Sequence, residues 1–182
     1  VHVHADCRQL LGVERDHARL VVRAHLTRDR WAEAGLIAAR PELAGDADAA
    51  SVVRVARAAE GLSLFQVSGS SCAEARWQLE APVPVIEVAI DGRRALALLD
   101  TTTHVTRVSS AVVSDDGVLA SLAIGGVTLG NVPVFSRDLA AAREVATLPI
   151  DIVLGRDVLF CWRVAFSRTD APTVRLGGPA LF

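Results

Sequence analysis

Hydrophobic positions fall into two textures along the chain. From Glu14 to Leu26, Ala18, Val21, Val22 and Leu26 recur at helical spacing, with Arg and His opposite. Thr27 or Asp29 can cap a second helix through Trp31, Leu36 and Ala39 that stops before Pro41. Asp46 or Asp48 can cap a third, with Val52, Val55, Ala56 and Ala59 on one stripe and Gly61 as its stop. Residues 1–78 therefore read as an α-helical region of two or three short helices, with Ser68-Gly69-Ser70-Ser71 as the linker. Such helices resemble the end of a helical-repeat array, but no internal period is visible.

From Pro82 the period shortens to that of strands. Val83–Ile90 and Arg94–Leu99 flank Asp91-Gly92, a strong hairpin signal. Val105–Val113 is β-branched and expected to be extended. Ser114-Asp115-Asp116-Gly117 reads as a second turn and Gly125-Gly126 as a third. In Val118–Ile124 the alternating residues suit a strand covered on both faces. Asp138 is placed to cap a helix over Leu139–Ala146. Ile150–Leu154, one or two helical turns over Arg156–Phe160, and strands at Trp162–Ser167 and Thr173–Leu176 complete the series. Residues 79–182 thus predict a mainly β domain, a small closed barrel with one short helix in its C-terminal half, giving an α+β chain overall.

Composition narrows the function classes. The chain has 182 residues, 51% of them hydrophobic, which suffices for a sizeable core. A formal net charge of −2 gives no electrostatic reason to expect nucleic acid or an anionic membrane as a partner. All of its Lys-or-Arg positions are Arg, and Met and Tyr are absent, which we read as codon bias in a GC-rich genome. No apolar run approaches the roughly 18 residues of a membrane span. A start at Val1 without Met is expected of a processed or trimmed chain.

Of the cysteines, Cys7 and Cys72 would, if paired, imply an oxidising compartment such as the periplasm; unrelated reduced thiols are the alternative. Cys161 beside Trp162 suits a small core residue. No Cys-x-x-Cys or His/Cys cluster suggests zinc, so neither metal nor cofactor is expected. His2 and His4 alternate as on a strand but read best as a terminus without a ligand, and His17 and His25 as a solvated helix face.

The stretch with most chemical content is Ala95-Leu96-Ala97-Leu98-Leu99-Asp100-Thr101-Thr102-Thr103, where an apolar strand delivers one carboxylate into small hydroxylated residues. It is followed by Val153-Leu154-Gly155-Arg156-Asp157-Val158-Leu159. Together these resemble the retropepsin-like aspartic proteases, in which an apolar strand ends in Asp-Thr-Gly and a later apolar pair and Gly open a short helix. The resemblance spans roughly Leu79 to Leu176. It implies a catalytic Asp100, a homodimer in which Asp100 of each copy shares one proton, and a polypeptide as substrate or partner. It also implies that the Thr101 hydroxyl braces the two loops, that Thr103 takes a place held by Ala or Ser, and that Leu154, Gly155 and Asp157 support the loop. From its own context Asp157 opens a helix, where an acid favours the N-terminal dipole. Asp91 and Asp151 read as turn and strand-edge residues.

The chain departs from that pattern in two places. Thr102 stands where the family has Gly; if the family geometry were kept, a β-branched residue there would be strained by about 1–3 kcal/mol. The only candidate flap tip is Ser114, Asp115, Asp116 and Gly117, too close behind Asp100 for a full-length hairpin lid. His104, directly after the Thr run, has no counterpart and is expected to be an ordinary surface or half-buried His. Retention of Asp100-Thr101 favours an active protease; Thr102 and the short flap favour a catalytically impaired dimerisation or partner-binding module. A third reading places function in residues 1–78 and uses the barrel only to dimerise.

Overall fold

The computed structural model describes residues 3–70, 72–78, 81–160, 162–167 and 173–179. The chain divides into two compact units, residues 1–60 and 61–182. No helix among the described residues is long and apolar enough to cross a membrane.

The first unit is helical: α1 (Val3–Leu26), α2 (Trp31–Ala38), a single 3-10 turn (Pro41–Leu43) and α3 (Ala47–Ala58). Ala18, Val22 and Leu26 of α1 are buried, as are Trp31, Ala34 and Ala38 of α2 and Val52 and Val55 of α3. At Gly35 a Cβ would lie 2.5 Å from the Ala56 Cβ, so α2 and α3 touch where only hydrogen fits. Asp46, the first of the two caps the sequence offers, caps α3 by accepting the Ala49 N–H at 3.0 Å, and Asp48 lies within the helix.

The predicted caps of α2 are not used. Thr27 turns its hydroxyl back to the Ala24 carbonyl of α1, and Asp29 adopts a left-handed φ of 53° in the connecting turn. Arg30 takes the cap position without a side-chain bond. Leu36, expected within the apolar pattern, is 73% exposed. His4 lies within α1 rather than in a strand, and His2 lies outside the described residues.

The second unit begins earlier than the pattern suggests. The helices end at Ala58, and residues assigned to a helical region and linker form β1 (Gln66–Gly69) and β2 (Cys72–Arg76). Their periodicity is too brief to reveal a strand whose partners lie far along the chain. The remaining elements are β3 (Val85–Ile90), β4 (Arg93–Leu99), β5 (Arg107–Ser109), β6 (Gly117–Ile124), β7 (Val127–Arg137), α4 (Ala140–Ala146), β8 (Ile152–Leu154), α5 (Arg156–Leu159), β9 (Trp162–Ser167) and β10 (Thr173–Pro179).

Six of these strands close on themselves in the order β7-β5-β8-β4-β3-β6, with β6 returning to β7 and β1 added beside β7. β2, β10 and β9 form a separate sheet, so the last two strands do not complete the barrel itself. Ile86, Leu122, Ile124, Leu129, Ile152 and Leu154 fill its interior, joined by Ala73, Ala75 and Val174 from the smaller sheet. A second cluster, with Val85, Leu98, Ile150 and Val153, packs against Leu139 and Ala146 around α4. The molecule therefore has a mainly β unit built on a closed barrel, preceded by a helical one.

The Asp91-Gly92 hairpin forms as read. Both residues have positive φ, 47° and 80°, and Ile90 pairs with Arg93 across them. In β6 strict alternation is interrupted: Leu119, Leu122 and Ile124 are buried, and the pairing with β7 passes from Leu119–Val132 to Ser121–Gly130 without Asn131, which has φ 55°. The extended run expected over Val105–Val113 shortens to β5. Cys72 is an exposed free thiol; the side chain of Cys7 and all of Cys161 lie outside the described residues.

Candidate active site

The parallel pair β4 and β8 sets up the site. Ala97, Leu98 and Leu99 lie opposite Ile152, Val153 and Leu154, and the pairing continues as the Asp100 N–H donates to the Leu154 carbonyl at 3.0 Å. Parallel strands place their C-terminal ends side by side. Asp100, after β4, therefore emerges beside Gly155, after β8, with α5 rising from that point.

The Asp100 carboxylate is held by its own loop. Oδ1 accepts the Thr102 N–H at 2.8 Å and the Thr102 hydroxyl at 2.6 Å; Oδ2 accepts the Thr103 hydroxyl at 2.7 Å. Burial pushes the carboxyl up, but these donors favour the anion and together hold it below the usual carboxylate range. Thr103 is buried, whereas Thr101 and Thr102 are exposed. Thr102 is not among the residues with positive φ. The strain expected of a β-branched residue in a glycine conformation is therefore absent, because the loop turns through an ordinary conformation closed by side-chain bonds.

The loop is fastened from behind by α5. The Arg156 N–H donates to the Thr103 carbonyl at 2.9 Å and the Asp157 N–H to the His104 carbonyl at 3.2 Å. Asp157 Oδ2 accepts the Thr106 N–H and its Oδ1 the Thr106 hydroxyl, each at 2.8 Å; Oδ1 also accepts the Val158 N–H at 2.9 Å. Thr106 Oγ1 in turn accepts the Gly155 N–H at 3.1 Å. Gly155 permits this approach: a Cβ there would stand 2.9 Å from the Val105 carbonyl carbon and from Asp157 Oδ1. Leu154, in β8, is fully buried. Asp157 thus does more than face a helix dipole; it ties the helix start to the loop.

Thr106 was not singled out by the sequence. It is 0% exposed and anchors both Asp157 and Gly155. The available signal was a lone hydroxyl between Val105 and Val108, since a buried hydroxyl requires partners. His104 is half-buried and its ring meets the Arg156 guanidinium, which also lies 5.9 Å from the Phe160 ring.

The candidate flap is not a hairpin tip. Ser114, Asp115 and Asp116 connect β5 to β6, and these strands pair with other partners rather than with each other. The Asp116 side chain, 3% exposed, accepts the Ser136 N–H at 2.8 Å and binds Arg137 at 3.0 Å. The Ser136 hydroxyl donates to the Val113 carbonyl at 2.7 Å, while Ser114 donates to Asp115. Gly117 is already in β6. A turn signal marks where a chain reverses, not which strand it reverses against, and here the stretch is pinned to the end of β7.

Asp91 accepts the Ser121 N–H at 2.7 Å and Asp151 the Leu96 N–H at 3.0 Å; both join strands. Among the described residues no group of three or more His, Cys, Asp or Glu side chains is arranged to hold a metal ion.

No family model matches the chain, and no curated protein matches it. Among solved structures it is similar to a retropepsin-like aspartic protease from Rickettsia conorii, at 11% sequence identity over 64% of this chain and 96% of that one, with a TM-score of 0.41.

Proposed function

We propose that the chain is one half of an aspartic endopeptidase that works as a homodimer. The observation carrying this reading is the Asp100 carboxylate, presented at the ends of two parallel strands and oriented by Thr102 and Thr103. Among the described residues one carboxylate is presented in this way, so the chemistry draws its second from another copy. Two like charges in close apposition cannot both stay ionised, which raises one of the two proton affinities. The ionised Asp100 takes a proton from water as the oxygen adds to the scissile carbonyl carbon. The protonated Asp100 of the second copy gives its proton to the carbonyl oxygen. Collapse of the tetrahedral diol breaks the C–N bond, with a proton passing to the amine and the shared proton restored. Thr101, exposed beside this point, is the residue we assign to brace the two loops.

A second reading is a protease-like dimerisation or peptide-binding module. The specific observation favouring it is the pinned Ser114–Gly117 connection, which supplies no long hairpin to close over a peptide. Asp100→Asn separates the two. The enzyme reading expects cleavage of an unstructured polypeptide and binding of a statine-type transition-state mimic at mildly acidic pH, both lost in the variant. If the unmodified protein neither cleaves nor binds the mimic, the enzymatic account fails. Partner capture that survives Asp100→Asn would then support the module.

A further inference from the structure

The resemblance to an Asp-Thr-Gly loop leaves the side chain of Thr102 without a role, because glycine has none. Yet this hydroxyl makes the shortest contact to the candidate catalytic group, 2.6 Å to Oδ1, while its own N–H reaches the same atom at 2.8 Å. A carboxylate offers about four acceptor sites, two on each oxygen. Thr102 alone fills both on Oδ1. Thr103 fills one on Oδ2, at 2.7 Å.

We infer that Thr102 is a positioning residue for Asp100: by saturating Oδ1 it leaves Oδ2 as the oxygen that exchanges a proton or meets water. A proton arriving at Oδ1 would have to displace a donor, whereas at Oδ2 the one side-chain donor among the described residues is the Thr103 hydroxyl. The charged groups of α5 beside the loop are directed elsewhere, Arg156 to the His104 ring and Asp157 to Thr106. Within one chain, no charged side chain among the described residues hydrogen-bonds Asp100; burial raises its proton affinity, and the hydroxyl and N–H donors of Thr102 and Thr103 lower it. The depressed proton affinity of this carboxyl agrees with that arrangement. Residue 102 would thereby tune the acid limb of the reaction, a consequence that rests on the protease reading; the titration itself does not.

The test is a carbon-13 NMR titration of the full chain labelled at aspartate carboxyls, with Asp100 assigned by its loss in Asp100→Asn. Thr102→Val keeps the branched shape and the N–H but removes the hydroxyl; Thr102→Ala repeats the deletion without bulk; Thr102→Ser restores the donor. The expected result is a severalfold gain in Asp100 proton affinity, a midpoint moved to higher pH, in the Val and Ala variants and a near-native midpoint in Ser. A native midpoint in both deletion variants overturns the inference. Where the midpoint moves, the acid limb of cleavage should move with it. If the titration shifts but the unmodified protein neither cleaves nor binds the mimic, the positioning role stands and the protease reading falls.

Discussion

At position 155 a methyl group has nowhere to go. It would press on the Val105 carbonyl carbon, the Thr106 nitrogen at 3.0 Å and the Asp157 carboxylate, and two of these three neighbours are backbone. Gly155→Ala is therefore expected to destabilise by about 1–3 kcal/mol, read as a lower midpoint in urea with an unchanged slope. A native midpoint would mean that the loop yields freely and that α5 does not clamp it. The place of Asp100 at the end of an apolar strand, and of Gly155 and Asp157 at the opening of a short helix, was legible in the sequence because their order and apolar flanks are local. Thr106 was not, since its importance comes from Asp157, across a separation of 51 residues. Thr102 was legible as a departure from the family pattern, but the chain's answer to it, a bond to Asp100, depends on the turn the loop adopts.

Among the elements, the start of α3 was readable to within two candidate caps, of which the structure takes Asp46, because a cap is chemistry between residues three apart. Asp46 does more than cap: it also binds Arg19 of α1 at 2.7 Å. Asp46→Ala is expected to cost about 1–2 kcal/mol, measured by thermal or urea unfolding of the first unit. Its pH dependence has a definite sign. The Ala49 N–H, opposed by partial burial and aided by Arg19, holds the Asp46 carboxyl below its usual range. A depressed folded-state value gives stability that is fully present above the unfolded value and lost as pH falls through the folded one. Acidification should therefore narrow the gap between native and Asp46→Ala proteins; a gap that widens in acid would contradict the capping account. The cap of α2 escaped prediction because Thr27 had two local partners and took the one behind it. The hairpins at Asp91-Gly92 and Gly125-Gly126 were readable for the same reason as α3: positive φ and two-residue turns belong to adjacent residues.

For the whole molecule, the division at Gly61 rather than Leu79 makes a direct prediction. A fragment of residues 61–182 retains β1 against β7 and β2 against β10. It should unfold in one cooperative transition. A fragment beginning at Leu79 removes Ala73 and Ala75 from the core and strips β10 of a partner. It should be markedly less stable or fail to fold, as circular dichroism and urea titration would show. Equal stability would indicate that residues 61–78 are an accessory to the barrel. The proposed enzyme further requires self-association, so sedimentation of residues 61–182 should give a dimer under conditions where the mimic binds.

Taken alone, the amino-acid sequence determined what neighbours in the chain can settle: helical texture first and strand texture after, the tight turns, the α3 cap, and a carboxylate at the end of an apolar strand. Each follows from periodicity or from bonds spanning a few residues. Only the tertiary structure decided which strands meet. It set β4 parallel to β8, joined Glu74 to Arg175 across 101 residues, drew β2 into the second unit and tied Ser114–Gly117 to β7 instead of freeing it as a lid. Such pairings are selected by burial of whole sheet faces and by satisfaction of every buried donor. These quantities have no local signature, because each partner's half of the pattern is compatible with many others.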